Sequence, residues 1–296
     1  MEKEVLEKYK KSGDVAARAK ILAKKEIKDN TKALDLVENI ENFIKKEADL
    51  AFPVNLSIND MAAHCTPDFD DQTVLKTGDL VKLDLGTQVD GYIADTSVCV
   101  RIGESSDPLI KASQDALDSF IKELSPGKTI GELSTLVDEI VVSHGFNPVR
   151  NLAGHSLDQY TQHGHLSIPN NKSTLQYKFK EDDVIAMEVF TTNGEGWVVE
   201  SSPTLIYMFV KLGAIRLKES KFVLKKVVEN YKTLPFAKRW LRDTCNPVSL
   251  HMALKELVTK GIIVEYPPLR EKAHGDVAQT EETLIVKDKP IITTKN

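Results

Sequence analysis

Val81-Lys82-Leu83-Asp84-Leu85-Gly86 and Gly91-Tyr92-Ile93-Ala94-Asp95-Thr96 place two aspartates eleven positions apart inside apolar, strand-like sequence. An ionised carboxylate on a buried strand is costly unless a cation or a dense set of hydrogen bonds compensates it. The pair therefore points to a metal site on a hairpin, with strands over Leu80–Leu85 and Tyr92–Ile102 and a turn across Gly86–Gly91. Val98 and Val100 share one face of the second strand.

Outward from this hairpin, residues 1 to 48 read as two helices separated near Asp29-Asn30-Thr31, with aliphatic residues at three-to-four spacing. Two more are expected over Pro108–Leu124 and Ile130–His144. Thr129 and Glu132 form a capping box for the second, and Gly145 stops it. Strands follow at Asp183–Phe190, Gly196–Glu200 and Thr204–Phe209, then a terminal hairpin of Val277–Lys287 and Ile291–Thr294. Strands, helices and strands again in blocks make an α+β architecture.

Residues 211–274 change character, with helices expected at Glu219–Tyr231, Pro235–Arg242 and Pro247–Lys260 and a short strand at Ile262–Val264. The pattern reads as a winged-helix-like insert in a catalytic unit made of 1–210 and 275–296. From Lys211 to Asp243 ten basic residues face three acids, a net of +7 within a chain of net charge -5. Solvated helix faces are the plainer explanation, and a nucleic-acid or ribosome contact is the alternative.

At 296 residues and 41% hydrophobic the chain can bury a full core. Cys65, Cys99 and Cys245 form no CxxC pair, which argues against a disulfide framework or a thiolate zinc site and fits a reducing, cytoplasmic setting. No apolar stretch is long enough for a membrane span, and the charged opening Met1-Glu2-Lys3-Glu4 is unlike an export signal.

His155 after Gly154, His163 eight residues on, Glu188 on Val184–Met187 and Glu281 after Val277–Thr280 stand in contexts comparable to the two aspartates. Any one of them alone is better read as a satisfied polar residue. Together Asp84, Asp95, Glu188 and Glu281 carry four negative charges, which two divalent ions with one hydroxide retained between them would offset. Oxygen-rich ligation with one imidazole suits Mn(II), Co(II), Fe(II) or catalytic Zn(II), and a dinuclear pair suits amide hydrolysis. A His-rich site using both His163 and His165 is the rival arrangement.

Lys82-Leu83-Asp84-Leu85-Gly86, Asp90-Gly91-Tyr92-Ile93-Ala94-Asp95-Thr96, Asn151-Leu152-Ala153-Gly154-His155, Ser167-Ile168-Pro169-Asn170 and Ala278-Gln279-Thr280-Glu281 resemble the motifs of type 2 methionine aminopeptidases, most closely the short form typical of archaea. The resemblance runs from Ala51 to the C-terminus. It implies the pita-bread fold, a curved antiparallel sheet backed by helices around two metal ions, with cobalt, manganese, iron, zinc or nickel as the metal. It further implies that Asp84 chelates one ion, that Asp95 and Glu281 bridge both, and that His155 and Glu188 complete the second. Glu188 would also be the proton shuttle as a metal-bridging hydroxide attacks the scissile carbonyl. His64 and His163 would contact that carbonyl and the peptide backbone, and Phe52, Phe190 and Tyr266 would surround the methionine side chain. Glu200 is a weaker candidate near the substrate amine.

The implied substrates are the N-termini of nascent chains whose second residue is small, and the implied assembly state is monomeric. A prolidase or creatinase-like relative shares the five ligands but usually carries a separate N-terminal domain, for which the residues before Asp84 leave little room. Type 1 enzymes lack the basic insert. A third alternative is a catalytically silent pita-bread binding protein, although such relatives tend to lose ligands. The chain departs from the family pattern at Gln162, Val189, Thr280 and Glu282, where an apolar residue, proline, phenylalanine and histidine are usual.

Overall fold

The computed structural model describes residues 1–295. Helices α1 (Lys3–Glu26) and α2 (Ala33–Ile44) lead through short strands β1 (Asp49–Leu50), β2 (Asn55–Ile58) and β3 (Met61–Ala63) into a long hairpin, β4 (Leu80–Val89) and β5 (Tyr92–Arg101). Then come α3 (Pro108–Glu123), α4 (Ile130–Ser143), β6 (Asn147–Pro148), β7 (Ala153–Ser156), β8 (Ser167–Pro169), β9 (Val184–Thr192), β10 (Val198–Glu200) and β11 (Ile206–Phe209). The rest comprises α5 (Lys218–Asn230), β12 (Pro235–Ala237), a 3-10 turn at Lys238–Leu241, α6 (Pro247–Thr259), β13 (Ile263–Tyr266), β14 (Leu269–Glu271), β15 (Val277–Ile285) and β16 (Ile291–Ile292).

Every named strand pair is antiparallel. Of the two main sheets, one has the order β1-β4-β2, with β5 on β4, and the other runs β16-β15-β9-β7-β8, with β6 on β9; two three-stranded sheets, β10-β14-β3 and β12-β11-β13, flank them. The strand period of two sorts their residues. Val81, Leu83 and Leu85 pack with Val15, Ala19, Val37 and Ile40 of α1 and α2, and Val98 and Val100 join them. Ile185, Met187 and Val189 pack with Leu117, Phe120, Leu133 and Val137 of α3 and α4. The residues between these aliphatics point to the opposite face, where the two sheets enclose a cavity.

The hairpin turn is tighter than its two glycines suggest. β4 runs on to Val89, which pairs with Tyr92, and Asp90-Gly91 alone makes the turn, with φ of 53° and 87°. Asp-Gly suits a two-residue turn that needs positive φ at both positions. Gly86 is a strand residue kept bare by packing, since a Cβ there would lie 2.2 Å from Cε1 of Phe52.

Helix punctuation agrees with the sequence. Thr129 and Glu132 form the reciprocal cap of α4, and Asn246 caps α6 by accepting from the Ser249 N–H at 3.0 Å. The expected helix over Pro235–Arg242 is instead β12 followed by the 3-10 turn. β12 pairs only with β11, an edge position where proline's missing N–H costs no ladder bond.

Arg239 is also not the surface charge that the basic run suggests. It is 5% exposed and its guanidinium pairs with Glu41 of α2. Trp240 Nε1 donates to the other Glu41 oxygen at 2.9 Å, and Arg239 donates to Thr66 Oγ1 at 2.6 Å. These bonds clasp the 3-10 turn to α2 and the segment after β3. Val223, Leu224, Leu250, Leu254 and Ile263 belong to a separate hydrophobic cluster.

Candidate metal centre

Asp84 pairs with Ser97 and Gly86 with Asp95, so both aspartates leave the β4–β5 ladder on one face. On the other sheet Glu188 and Glu281 are direct cross-strand partners, and His155 pairs with Ala186, two residues from Glu188. All five side chains therefore converge from two sheets. They line a single cavity of about 180 Å3 together with His64, His163, Phe52, Phe190 and Tyr266.

Asp95, His155 and Glu281 are buried and offer ligand atoms that all lie within 4.8 Å of one another. Asp84 lines the same cavity on one side of this trio, close enough for its charge to raise the pKa of Asp95. Gln279 Nε2, 3.3 Å from Glu188 Oε2 and 3.4 Å from Glu281 Oε2, joins Glu188 to it on the other. Nδ1 of His155 lies 3.4 Å from the Ser156 carbonyl, so it carries the ring proton and leaves Nε2 free for a cation, 3.9 Å from Asp95 Oδ2.

The electrostatics are those of a site built for positive charge. Burial raises Asp84 to about 7 and, with the neighbouring carboxylates, holds Asp95 and Glu281 well above the usual range. Burial and the charge of Asp84 do the same to Glu188. Among the described residues, no lysine or arginine lines the cavity. Oδ1 of Asp84 and Oδ1 of Asp95 are buried and have no hydrogen-bond partner. Four acids around unpartnered oxygens, with one neutral imidazole, fit hard or borderline divalent ions.

His64 is held at φ 60° at the end of β3, against the Tyr266 ring at 5.3 Å between centroids. Its Nδ1 lies 3.2 Å from the Pro267 carbonyl and burial lowers its pKa to about 4, so it is neutral with Nε2 as an acceptor. His163 packs against His155 at 4.4 Å between centroids. Burial of the imidazole lowers the pKa of His163, although the residue as a whole is exposed. His165 lies outside the metal cavity against Tyr177, at 6.2 Å between centroids, so the arrangement with two histidines of this loop is not formed. Glu200 is exposed on β10 and does not line the cavity.

Sequence reasoning missed several lining residues. Ile206 and Pro235 stand on β11 and β12, so the β12-β11-β13 sheet forms part of the wall with Tyr266 of β13. Asn55 is the direct partner of Asp84, and its buried Oδ1 has no partner. The alternation of β15 is the signal that exposes Gln279, two residues before Glu281. Gln162, one of the departures, points its amide at Asp95 Oδ2 from 3.5 Å.

A model of metallopeptidase family M24 matches residues 7–225. The chain is 43% identical over 293 residues to a methionine aminopeptidase of Pyrococcus abyssi, covering 98% of this chain and 99% of the relative. Among solved structures, a thermophilic Arx1 has a TM-score of 0.89 at 17% identity, over 100% of this chain and 92% of that one. A methionine aminopeptidase of Thermotoga maritima has a TM-score of 0.74 at 20% identity, over 100% and 98%. These two likenesses concern the fold, whereas the first two matches concern descent. With the ligand-bearing cavity they lead to one assignment: the chain belongs to metallopeptidase family M24 and, within it, to the methionine aminopeptidases.

Proposed function

We propose that this cavity removes the N-terminal methionine from nascent chains whose second residue is small, using two divalent ions. One observation carries the reading: four desolvated carboxylates and a neutral imidazole converge on a cavity that, among the described residues, no lysine or arginine lines. Asp95, His155, Glu281 and Glu188 would hold one ion, and Asp84 with Asp95 and Glu281 the other. The identity of the metal is left to its supply, since manganese, cobalt, iron, zinc and nickel all accept such donors. When bound, such ions acidify water and polarise a carbonyl.

The protein's own groups do the remainder. Glu188, with an affinity for protons raised by burial, takes the proton of the attacking water and delivers it to the leaving amine as the peptide bond breaks. Neutral His64 presents Nε2 as an acceptor for a peptide N–H, and His163 donates to the scissile carbonyl. Phe52, Phe190 and Tyr266, with Leu152 and Ile206, form the apolar wall for the methionine side chain, where ring edges suit a thioether sulfur. Residues 211–274 act as an insert on a catalytic unit of 1–210 and 275–296, contributing Tyr266 and Pro235 to that wall.

Metal-reconstituted protein should release methionine from Met-Ala and Met-Gly peptides, with Asp95→Ala as the inactive control. No turnover with any of the five metals would sink the enzymatic reading and favour a binding protein of the same fold. We further propose a cytoplasmic monomer that meets ribosomes through exposed α5 lysines such as Lys221 and Lys225. Charge reversal at Lys225 and Lys226 should weaken salt-sensitive co-sedimentation with ribosomes. Unchanged co-sedimentation would remove the contact.

A further inference from the structure

Glu282 directly follows Glu281, and strand alternation sends its side chain away from the cavity, toward α1. There Oε1 accepts from Lys20 Nζ at 2.7 Å, and Oε2 accepts from the Thr294 hydroxyl. Lys20 Nζ also donates to Thr96 Oγ1 at 2.9 Å, and Thr96 Oγ1 donates to the Glu281 carbonyl at 2.8 Å. Lys20 thus touches the residue after Asp95 and the residue after Glu281 at once. The Lys20 and Glu282 side chains are only 18% and 13% exposed, so water screens the pair weakly.

Asp95 and Glu281 come from different sheets. β5 pairs through its backbone with β4, and β15 pairs with β9 and β16, so no backbone ladder sets the distance between the two carboxylates. Side chains set it instead. Thr283 Oγ1 accepts from the Asp95 N–H and donates to the Asp95 carbonyl, both at 2.7 Å, on the cavity side. The Lys20–Glu282–Thr96 cluster closes the same seam from behind. A third tie, Thr280 Oγ1 to Ser113 Oγ at 2.6 Å, fixes β15 to α3.

We propose that Lys20 is a positioning residue for the metal centre: through Glu282 and Thr96 it holds Asp95 and Glu281 at the separation that two ions require. No ladder joins β5 to β15, so with the Lys20 tie gone the Thr283 bonds alone hold this seam and the two carboxylates are freer to shift relative to one another. Groups that orient metal ligands typically change metal affinity 10- to 100-fold when removed. The inference rests on the metal-centre reading above.

The test is a titration of metal-free protein with Mn(II), followed by electron paramagnetic resonance and calorimetry. Lys20→Met and Glu282→Gln should each raise the dissociation constant about tenfold or more, and the double variant should be no worse than the poorer single. Lys20→Arg, which keeps the cation, should bind Mn(II) better than Lys20→Met. Glu282→Gln keeps the size and shape of the side chain, so it reports even if Lys20→Met folds poorly. A lower Tm with unchanged Mn(II) affinity in these variants would mean a merely structural pair and overturn the proposal, as would strictly additive losses. If unaltered protein binds no Mn(II), the metal-centre reading fails first and takes this inference with it.

Discussion

Glu41 and Arg239, 3% and 5% exposed, bury opposite charges that satisfy one another between α2 and the 3-10 turn, with Trp240 and Thr66 completing their hydrogen bonds. Asp95 and Glu281, 2% and 1% exposed, bury charges of the same sign beside Asp84 and Glu188, and among the described residues no lysine or arginine lines their cavity in return. One cluster is complete when the chain has folded. The other is complete only when cations arrive, and this incompleteness separates a joint from a binding site. Lys20 and Glu282, just behind the second cluster, are a paired charge placed where it can steady the unpaired ones.

The most severe way to break the contrast is to remove Asp95, the residue proposed above to serve both ions. Asp95→Ala should lower kcat/KM by roughly three orders of magnitude or more, a barrier increase of about 4 kcal/mol. Elemental analysis should find both ions lost. Asp84→Ala should lose chiefly one. Equal losses of both ions in the two variants would contradict the division of labour between the aspartates.

Next in size is damage to the paired cluster. Arg239→Met leaves Glu41 buried without its countercharge and should destabilise the fold by about 3–5 kcal/mol in urea. Its metal stoichiometry should stay at that of the unaltered protein, because neither residue faces the cavity. Adding Glu41→Leu removes the stranded charge and should recover most of the loss. A double variant as unstable as the single would show that Trp240 and Thr66, rather than the ion pair, carry the joint.

Acids and imidazoles on aliphatic or glycine-marked strands stand out in the sequence because they are physically anomalous there, and the resemblance to type 2 methionine aminopeptidases narrows them to the five proposed ligands, with His155 rather than His163 among them. Helix boundaries at Thr129 and Asn246 were readable because capping is local. What stayed hidden depends on long-range pairing. Pro235 follows a helical pattern until β11 is known to run beside it, and Arg239 resembles any surface arginine until Glu41, almost two hundred positions earlier, is brought to meet it. Glu282 could be seen as a departure beside a proposed ligand. Its partner Lys20 could not, since nothing in α1 distinguishes that lysine from its neighbours.

The smallest expected effect asks whether protons stand in for cations in the metal-free protein. Asp84 has a folded-state pKa of about 7, and Asp95, Glu188 and Glu281 are likewise raised, against unfolded values near 4. A raised carboxylate binds its proton more tightly in the folded state, so its contribution to stability is complete below pH 4 and is lost as pH climbs through the folded value. His64 and His155, lowered to about 4 and 3, act in the opposite sense, because the unfolded chain takes up their protons first as pH falls below 6.5. Below pH 6.5 the two trends oppose each other, and above it the histidines contribute nothing further. The Tm of metal-free protein should therefore fall by a few degrees between pH 6.5 and 8.5, roughly the effect of 1 or 2 kcal/mol in a chain of this size. Added Mn(II), which must displace these protons, should raise Tm more at pH 8.5 than at pH 6.5. The Glu41–Arg239 joint has no such vacancy, so Asp95→Ala, with one raised carboxylate fewer, should flatten the slope whereas Arg239→Met should leave it intact. A metal-free Tm that rises across this window would mean that the cavity already holds its charges without help.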